Sequence, residues 1–307
     1  MHSSSNGANG SSAASTRLAE ARARNAAQRA QAQRRASRNS IWRRYWPIIA
    51  TVVSVVVLTG IFVALANRSS STVGIGDPVP STLAKQVTGV SVTVFDKVGI
   101  GGNKTSLQVP QGATVYKDSN GKPIFLFIGA DYCPYCAAER WSIIAALSRF
   151  GTFKDLHLMK SAVSDGNIAT FTFHGSSYTS QYLTFQAVET EDRDRNTLET
   201  PTAEQQAIFA QYDAPPYTNT AAGIPFFSIA NQYIQTNAGY QTTLTSDLSW
   251  QQIGDKLSDP NDPVTQAIIG EANHLTAAIC QTTGQQPASV CKSTTIQQIE
   301  AKLPKGS

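Results

Sequence analysis

Two cysteines separated by two residues, Cys133-Pro134-Tyr135-Cys136, are the side chains of this sequence best suited to chemistry. A C-x-x-C pair by itself has three readings: a redox-active dithiol, a structural bridge, or half of a zinc site. Its setting favours the first. The continuous apolar run Pro123 to Gly129 comes before it and reads as a strand buried on both faces. Ala137 to Arg149 follows with helical composition, placing Trp141, Ile144, Ala145 and Ser148 on one face. A cysteine where such a helix begins meets unpaired backbone N–H groups and the positive end of the helix dipole. Both favour the thiolate, so Cys133 is the expected attacking thiol. Cys136, one turn along, is placed to resolve a mixed disulfide. Pro134 in the first helical turn sacrifices no hydrogen bond. Ala137 stands where c-type haem attachment requires histidine, so that chemistry is excluded.

The other two cysteines, Cys280 and Cys291, bound the segment CQTTGQQPASVC. They are expected to form a structural disulfide closing a loop between the last two helices, with an electron relay to the first pair as the functional alternative. Their spacing suits a four-cysteine zinc site poorly. The four histidines, His2, His157, His174 and His274, lack ligand spacing, so neither a metal nor a bound cofactor is expected. Asp131 and Glu139 flank the C-x-x-C pair. Their charge would oppose thiolate formation, and solvated surface positions are the plainer reading.

Several further elements must position these residues. Val90, Val92 and Val94 alternate, which predicts a strand over 90–95. Lys117 to Lys122 contains an Asn-Gly pair and reads as a turn. Strands are expected over 156–163, 169–174 and 182–188, and a hairpin over 226–235 around Asn231. Helices are expected from Thr200-Pro201 to Tyr212, over 250–257, over 263–280 along the stripe Val264, Ile268, Ala272, Leu275 and Ile279, and over 294–303 behind a Ser293 cap. Gly223-Ile224-Pro225-Phe226-Phe227 sets an Ile-Pro at the opening of an apolar strand, where a proline is tolerated.

The order strand, CPYC, helix, Ile-Pro before a strand hairpin, then helix resembles the thioredoxin superfamily over roughly residues 90–160 and 220–258. The resemblance implies that Pro225 is a cis-proline beside the cysteine pair. It also implies that the backbone at Ile224 and Pro225 binds a substrate chain as an added strand, with Pro134 and Tyr135 completing the substrate contacts. A wider similarity, carried by FIGADYCPYCAAERWSIIAALSRFGTF, YTSQYLTF, GIPFF, LSW and TAAIC, links most of residues 85–295 to an uncharacterised family, domain of unknown function 929. It implies a thioredoxin-like α/β fold. The sequence departs from thioredoxin in the length between the 156–163 strand and Pro225, so an insertion over 164–222 and a C-terminal helical extension are expected on that fold.

The chain has 307 residues and a formal net charge of +4, distributed unevenly. Residues 1–46 hold nine arginines and one acid, Glu20, for a net +8, which leaves −4 on the remainder. That distribution argues against a nucleic-acid partner for the main body. Residues 47–66, PIIATVVSVVVLTGIFVALA, carry no charge, and such a run is long enough to cross about 30 Å of hydrocarbon as a helix. Trp42, Tyr45 and Trp46 sit before it as an interfacial belt, and Arg43 and Arg44 orient it. The expected organisation is a basic cytoplasmic tail (1–46), one transmembrane helix (47–66), a Ser/Gly/Pro-rich linker (67–85) and an extracytoplasmic thioredoxin-like domain (86–307). Ala64-Leu65-Ala66 is the competing cleavage signal. The expected function is a membrane-anchored thiol–disulfide oxidoreductase, catalytic through Cys133 and Cys136. Its partners would be the bilayer, the thiols or disulfides of exported proteins, and a redox partner the sequence does not name. The alternative is a non-catalytic thioredoxin-fold binding or assembly module in which Cys133 and Cys136 form a structural disulfide.

Overall fold

The computed structural model describes residues 20, 22–34, 47, 48, 50–54, 57, 73–219 and 223–305. The chain divides into two units, 1–72 and 73–307. In the first, the described residues are helical. Much of the apolar run 47–66 lies outside the described residues, and among the described residues no helix is long and apolar enough to cross a membrane.

The second unit is a mixed α/β body whose centre is β1 (Ile124–Gly129), buried at all six positions as its unbroken apolar sequence requires. It is followed by α3 (Pro134–Leu147), after two short helices, α1 (Ser81–Thr88) and α2 (Val92–Val98), that precede the strand. Four strands make two side ladders: β2 (Gly151–Lys154) pairs antiparallel with β5 (Ser177–Ser180), and β3 (His157–Lys160) with β4 (Ala169–Thr172). The chain then returns as β6 (Thr184–Glu189) to lie parallel to β1. After α4 (Ala203–Tyr212), strands β7 (Phe226–Ile229) and β8 (Tyr233–Gln235) add antiparallel on the other side of β1. The central sheet order is therefore β6-β1-β7-β8. The β7–β8 turn is tight: Ala230 and Asn231 both have φ above +50°, and the Asn231 N–H donates to the Ser228 hydroxyl. The C-terminal part is α5 (Trp250–Lys256), the long α6 (Pro263–Thr282), α7 (Ala288–Cys291) and α8 (Thr294–Glu300).

Helix α3 is buried along almost its whole length because it lies between α6 and β4. It therefore shows no polar stripe, unlike a surface helix. Trp141 packs edge-on to Phe171, and its indole N–H donates to the Ala169 carbonyl at 3.0 Å.

Three expectations change. Residues 92–98 are helical rather than a strand: Ser91 caps them, and Asn273 of α6 donates to the carbonyls of Phe95 and Gly99. The linker reading over 67–85 fails from Val73 onward, since Pro78 bridges to His157 and Leu83 in α1 is buried. Residues 164–222 are more than an inserted excursion, because they supply β6, a strand of the central sheet.

Candidate functional site

Where β1 ends, the chain turns through Ala130, Asp131 and Tyr132 and enters α3 at Cys133. Cys133 is the N-cap of that helix: its sulfur accepts from the Cys136 N–H at 3.2 Å, the place usually held by a serine or aspartate oxygen. Pro134 opens the helix and Tyr135 is half exposed. Both cysteines are free thiols, Cys133 with 3% of its surface exposed and Cys136 with none. Close packing beneath Cys136 depends on Gly129: a Cβ there would lie 3.2 Å from the Cys136 sulfur and 2.5 Å from the Phe127 ring.

The Ile224–Pro225 peptide is cis, and the Cys133 thiol donates to the Ile224 carbonyl at 3.6 Å. The two motifs, distant in sequence, thus meet at one sulfur. Next to Tyr135 an open groove of about 410 Å³ runs along Asn237, Gly239, Tyr240, Leu244 and Lys104. Neither cysteine lines this groove, nor a larger cavity of about 600 Å³ against Val109, Tyr233 and Glu300.

The two thiols differ in acidity. The hydrogen bond with Cys136 lowers the Cys133 pKa most; burial opposes this, and the Cys136 N–H and the Arg140 charge add to the lowering. Burial pushes Cys136 well above the ordinary thiol range, and the Cys133 sulfur reinforces that, with Arg140 acting against it.

Behind the pair lies a buried charge cluster. Arg140, wholly enclosed, donates to Glu189 through Nε at 2.9 Å and Nη2 at 2.6 Å. Nη2 also lies 3.5 Å from Asp131. Burial lifts the Asp131 pKa to about 6 against the pull of Arg140. Burial lowers the Arg140 pKa, but Glu189, Asp131 and Cys136 together outweigh it and hold the guanidinium above its ordinary value. Glu139 is buried as well. Its carboxylate accepts from the Gly239 N–H at 2.9 Å, and burial, followed by the charge of the equally enclosed Glu271, raises its pKa well above the usual range.

Asp131 and Glu139 are thus core groups and not solvated surface charges. Arg140 and Glu189 carry no signal in the sequence beyond Arg140 falling one helical turn after Cys136. His174 Nδ1 sits 2.7 Å from Glu199 on the surface, whereas His274 is buried. Cys280 and Cys291 are joined, with Cα atoms 5.4 Å apart, at the end of α6 and in α7. Among the described residues no group of three or more His, Cys, Asp and Glu side chains is arranged to hold a metal.

No curated protein and no solved structure matches the chain. One family profile does, that of a domain of unknown function (DUF929), over residues 116–281, which run from just ahead of β1 to the end of α6 and include both cysteines of the CPYC pair. Since this match takes in more than half of the 307 residues, the chain belongs to the DUF929 family.

Proposed function

We propose that the chain is a thiol–disulfide oxidoreductase of thioredoxin-like fold, held at the membrane by residues 47–66 with its α/β unit outside the cytoplasm. The observation that carries the reading is the meeting of a helix-capping thiol with a cis-proline strand: Cys133 accepts from the Cys136 N–H and donates to the Ile224 carbonyl. The sheet order β6-β1-β7-β8, with β6 parallel to β1 and the hairpin antiparallel, agrees with that fold. Support for the anchor is the uncharged run and the arginine excess ahead of it.

In this reading the Cys133 thiolate attacks one sulfur of a protein disulfide. A Cys133–substrate bond forms, and the other substrate sulfur leaves as a thiolate. Cys136 then gives its proton to the released substrate thiolate and attacks the Cys133 sulfur. The Cys133–Cys136 bond forms and the second substrate thiolate departs. The pair loses two electrons and the substrate gains two; the reverse sequence oxidises a substrate dithiol. An extended segment of an exported protein would lie beside Ile224 and Pro225, with Tyr135 at its side.

Replacing Cys136 by serine tests this. The variant should retain exported proteins in reductant-sensitive adducts at Cys133. No adduct beyond that of a variant lacking both cysteines would defeat the reading. The near-complete burial of both sulfurs favours a second reading, a binding module without turnover. Failure of the reduced chain to exchange with oxidised glutathione would select it.

A further inference from the structure

We infer that Arg140 is a positioning residue for the cysteine pair, fixing the turn that presents Cys133 and supplying the positive charge against which its thiolate forms. The inference rests on the thiol-exchange reading above and assigns a residue outside the C-x-x-C motif to it.

Cys136 and Arg140 are four residues apart in α3 and so lie on one face, a turn apart. Helical side chains lean toward the N-terminus, so Arg140 runs back toward the cysteines. Its far end confirms the direction: Nη2 donates to the Ala130 carbonyl at 2.8 Å. The same carbonyl accepts from the Cys133 N–H at 3.3 Å. One oxygen therefore ties the guanidinium and the backbone of Cys133 together.

The guanidinium is incompletely satisfied. Glu189 takes Nε and Nη2, while Nη1 is buried and has no hydrogen-bond partner. A buried cation with a spare donor is costly unless an anion comes near. Asp131 is one such anion, 3.5 Å from Nη2. The other is the charge formed at the cysteines, both of which feel Arg140 as a force toward the thiolate. Glu189 has its own supports, the Phe173 N–H on its carboxylate and Glu199 on its backbone N–H. It is a fixed anchor that sets where Arg140 points.

The charged and titratable groups around Cys133 are Cys136, Asp131, Tyr132, Arg140 and Glu189, with His174 acting on Asp131 and with Glu191 and Arg195 acting on Tyr132. Two substitutions in this set should move Cys133 in opposite directions. The paired change Arg140→Met with Glu189→Gln removes the cation without stranding its partner. The single change Glu189→Gln keeps the cation and removes its neutraliser. The readout is the pH midpoint of iodoacetamide modification of Cys133 in the reduced full chain, with circular dichroism to establish folding. The midpoint should rise by about one unit in the paired variant and fall in Glu189→Gln. Arg140→Lys, which keeps the charge, should return most of the paired variant's shift. Equilibration with glutathione should move toward the disulfide by about threefold or more in the paired variant.

A purely structural role predicts shifts of one sign in both variants, or none, and either result overturns the inference. If the paired variant fails to fold, the sign of the Glu189→Gln shift decides alone. Wild-type chain that is alkylated normally but exchanges with no disulfide would instead overturn the oxidoreductase reading and leave the Arg140 test standing.

Discussion

The backbone N–H of Cys136 points at the sulfur of Cys133, 3.2 Å away, so one cysteine caps the helix that contains the other. The capped sulfur gains from charge and the enclosed one loses by it. At pH 7 the reduced chain should therefore be modified by iodoacetamide at Cys133 first, with Cys136 reacting only at much higher pH or after unfolding. Peptide mapping checks this. Faster modification of Cys136 would reverse the assignment of roles.

Asp131 gives stability a pH dependence of defined sign. Its folded pKa is about 6 and its ordinary value 3.8, so the folded chain binds more protons across that window. Unfolding free energy must then fall as pH rises from about 4 to 6, through this group by up to about 3 kcal/mol. Asp131→Asn mimics the protonated form and should flatten that slope in urea titrations taken at several pH values. An unchanged slope would mean that Asp131 ionises normally.

Gly129 is the residue whose lack of a side chain admits the Cys136 sulfur. Gly129→Ala forces a methyl against the Phe127 ring, which should lower stability by about 1–3 kcal/mol. It should also slow closure of the Cys133–Cys136 disulfide more than formation of the mixed disulfide at Cys133, because Cys136 is the sulfur displaced. Stopped-flow measurement of the two steps separates them.

Removing the second disulfide by changing Cys280 and Cys291 together to serine should lower stability by about 2–3 kcal/mol for a loop of this size. Exchange at Cys133 should stay within about twofold, since the bond lies outside the groups that act in the transition state. Retained single turnover with lost multiple turnover would instead identify an electron relay.

Tyr135 is half exposed and lines the groove that runs along Asn237, Gly239 and Tyr240. Tyr135→Ala should leave the unfolding midpoint nearly unchanged, within about 0.5 kcal/mol. It should weaken reaction with peptide disulfides more than with glutathione, which is too small to lie along the groove. Equal loss for both substrates would place Tyr135 outside the binding surface.

The cysteine cap was legible because its causes are local: an apolar run, a proline in the first turn, and helical composition after it. The pairing of Ile224 and Pro225 with Cys133 was reachable only through a family resemblance, since nothing within either segment encodes the other. Val90 to Phe95 misled because valine alternation favours strand, whereas the contacts from Asn273 that hold the helix Val92–Val98 come from far along the chain. Asp131, Arg140 and Glu189 are each ordinary surface residue types. Only the sheet, by bringing the end of β6 beside the start of α3, makes them a buried cluster.

The central strand also fixes an order of events during synthesis and folding. β1 takes its neighbours from strands that start at Thr184 and Phe226, both far downstream. Until the chain has been made past Ile229, β1 lacks one sheet partner or both, and the thiols that follow it are unshielded. Non-local pairing of this kind is slow. The newborn chain should therefore pass through a period in which Cys133 and Cys136 are open to wrong bridges, before Cys280 and Cys291 have been made. Chains halted before residue 229 should incorporate alkylating reagent at both Cys133 and Cys136, in contrast to the finished protein.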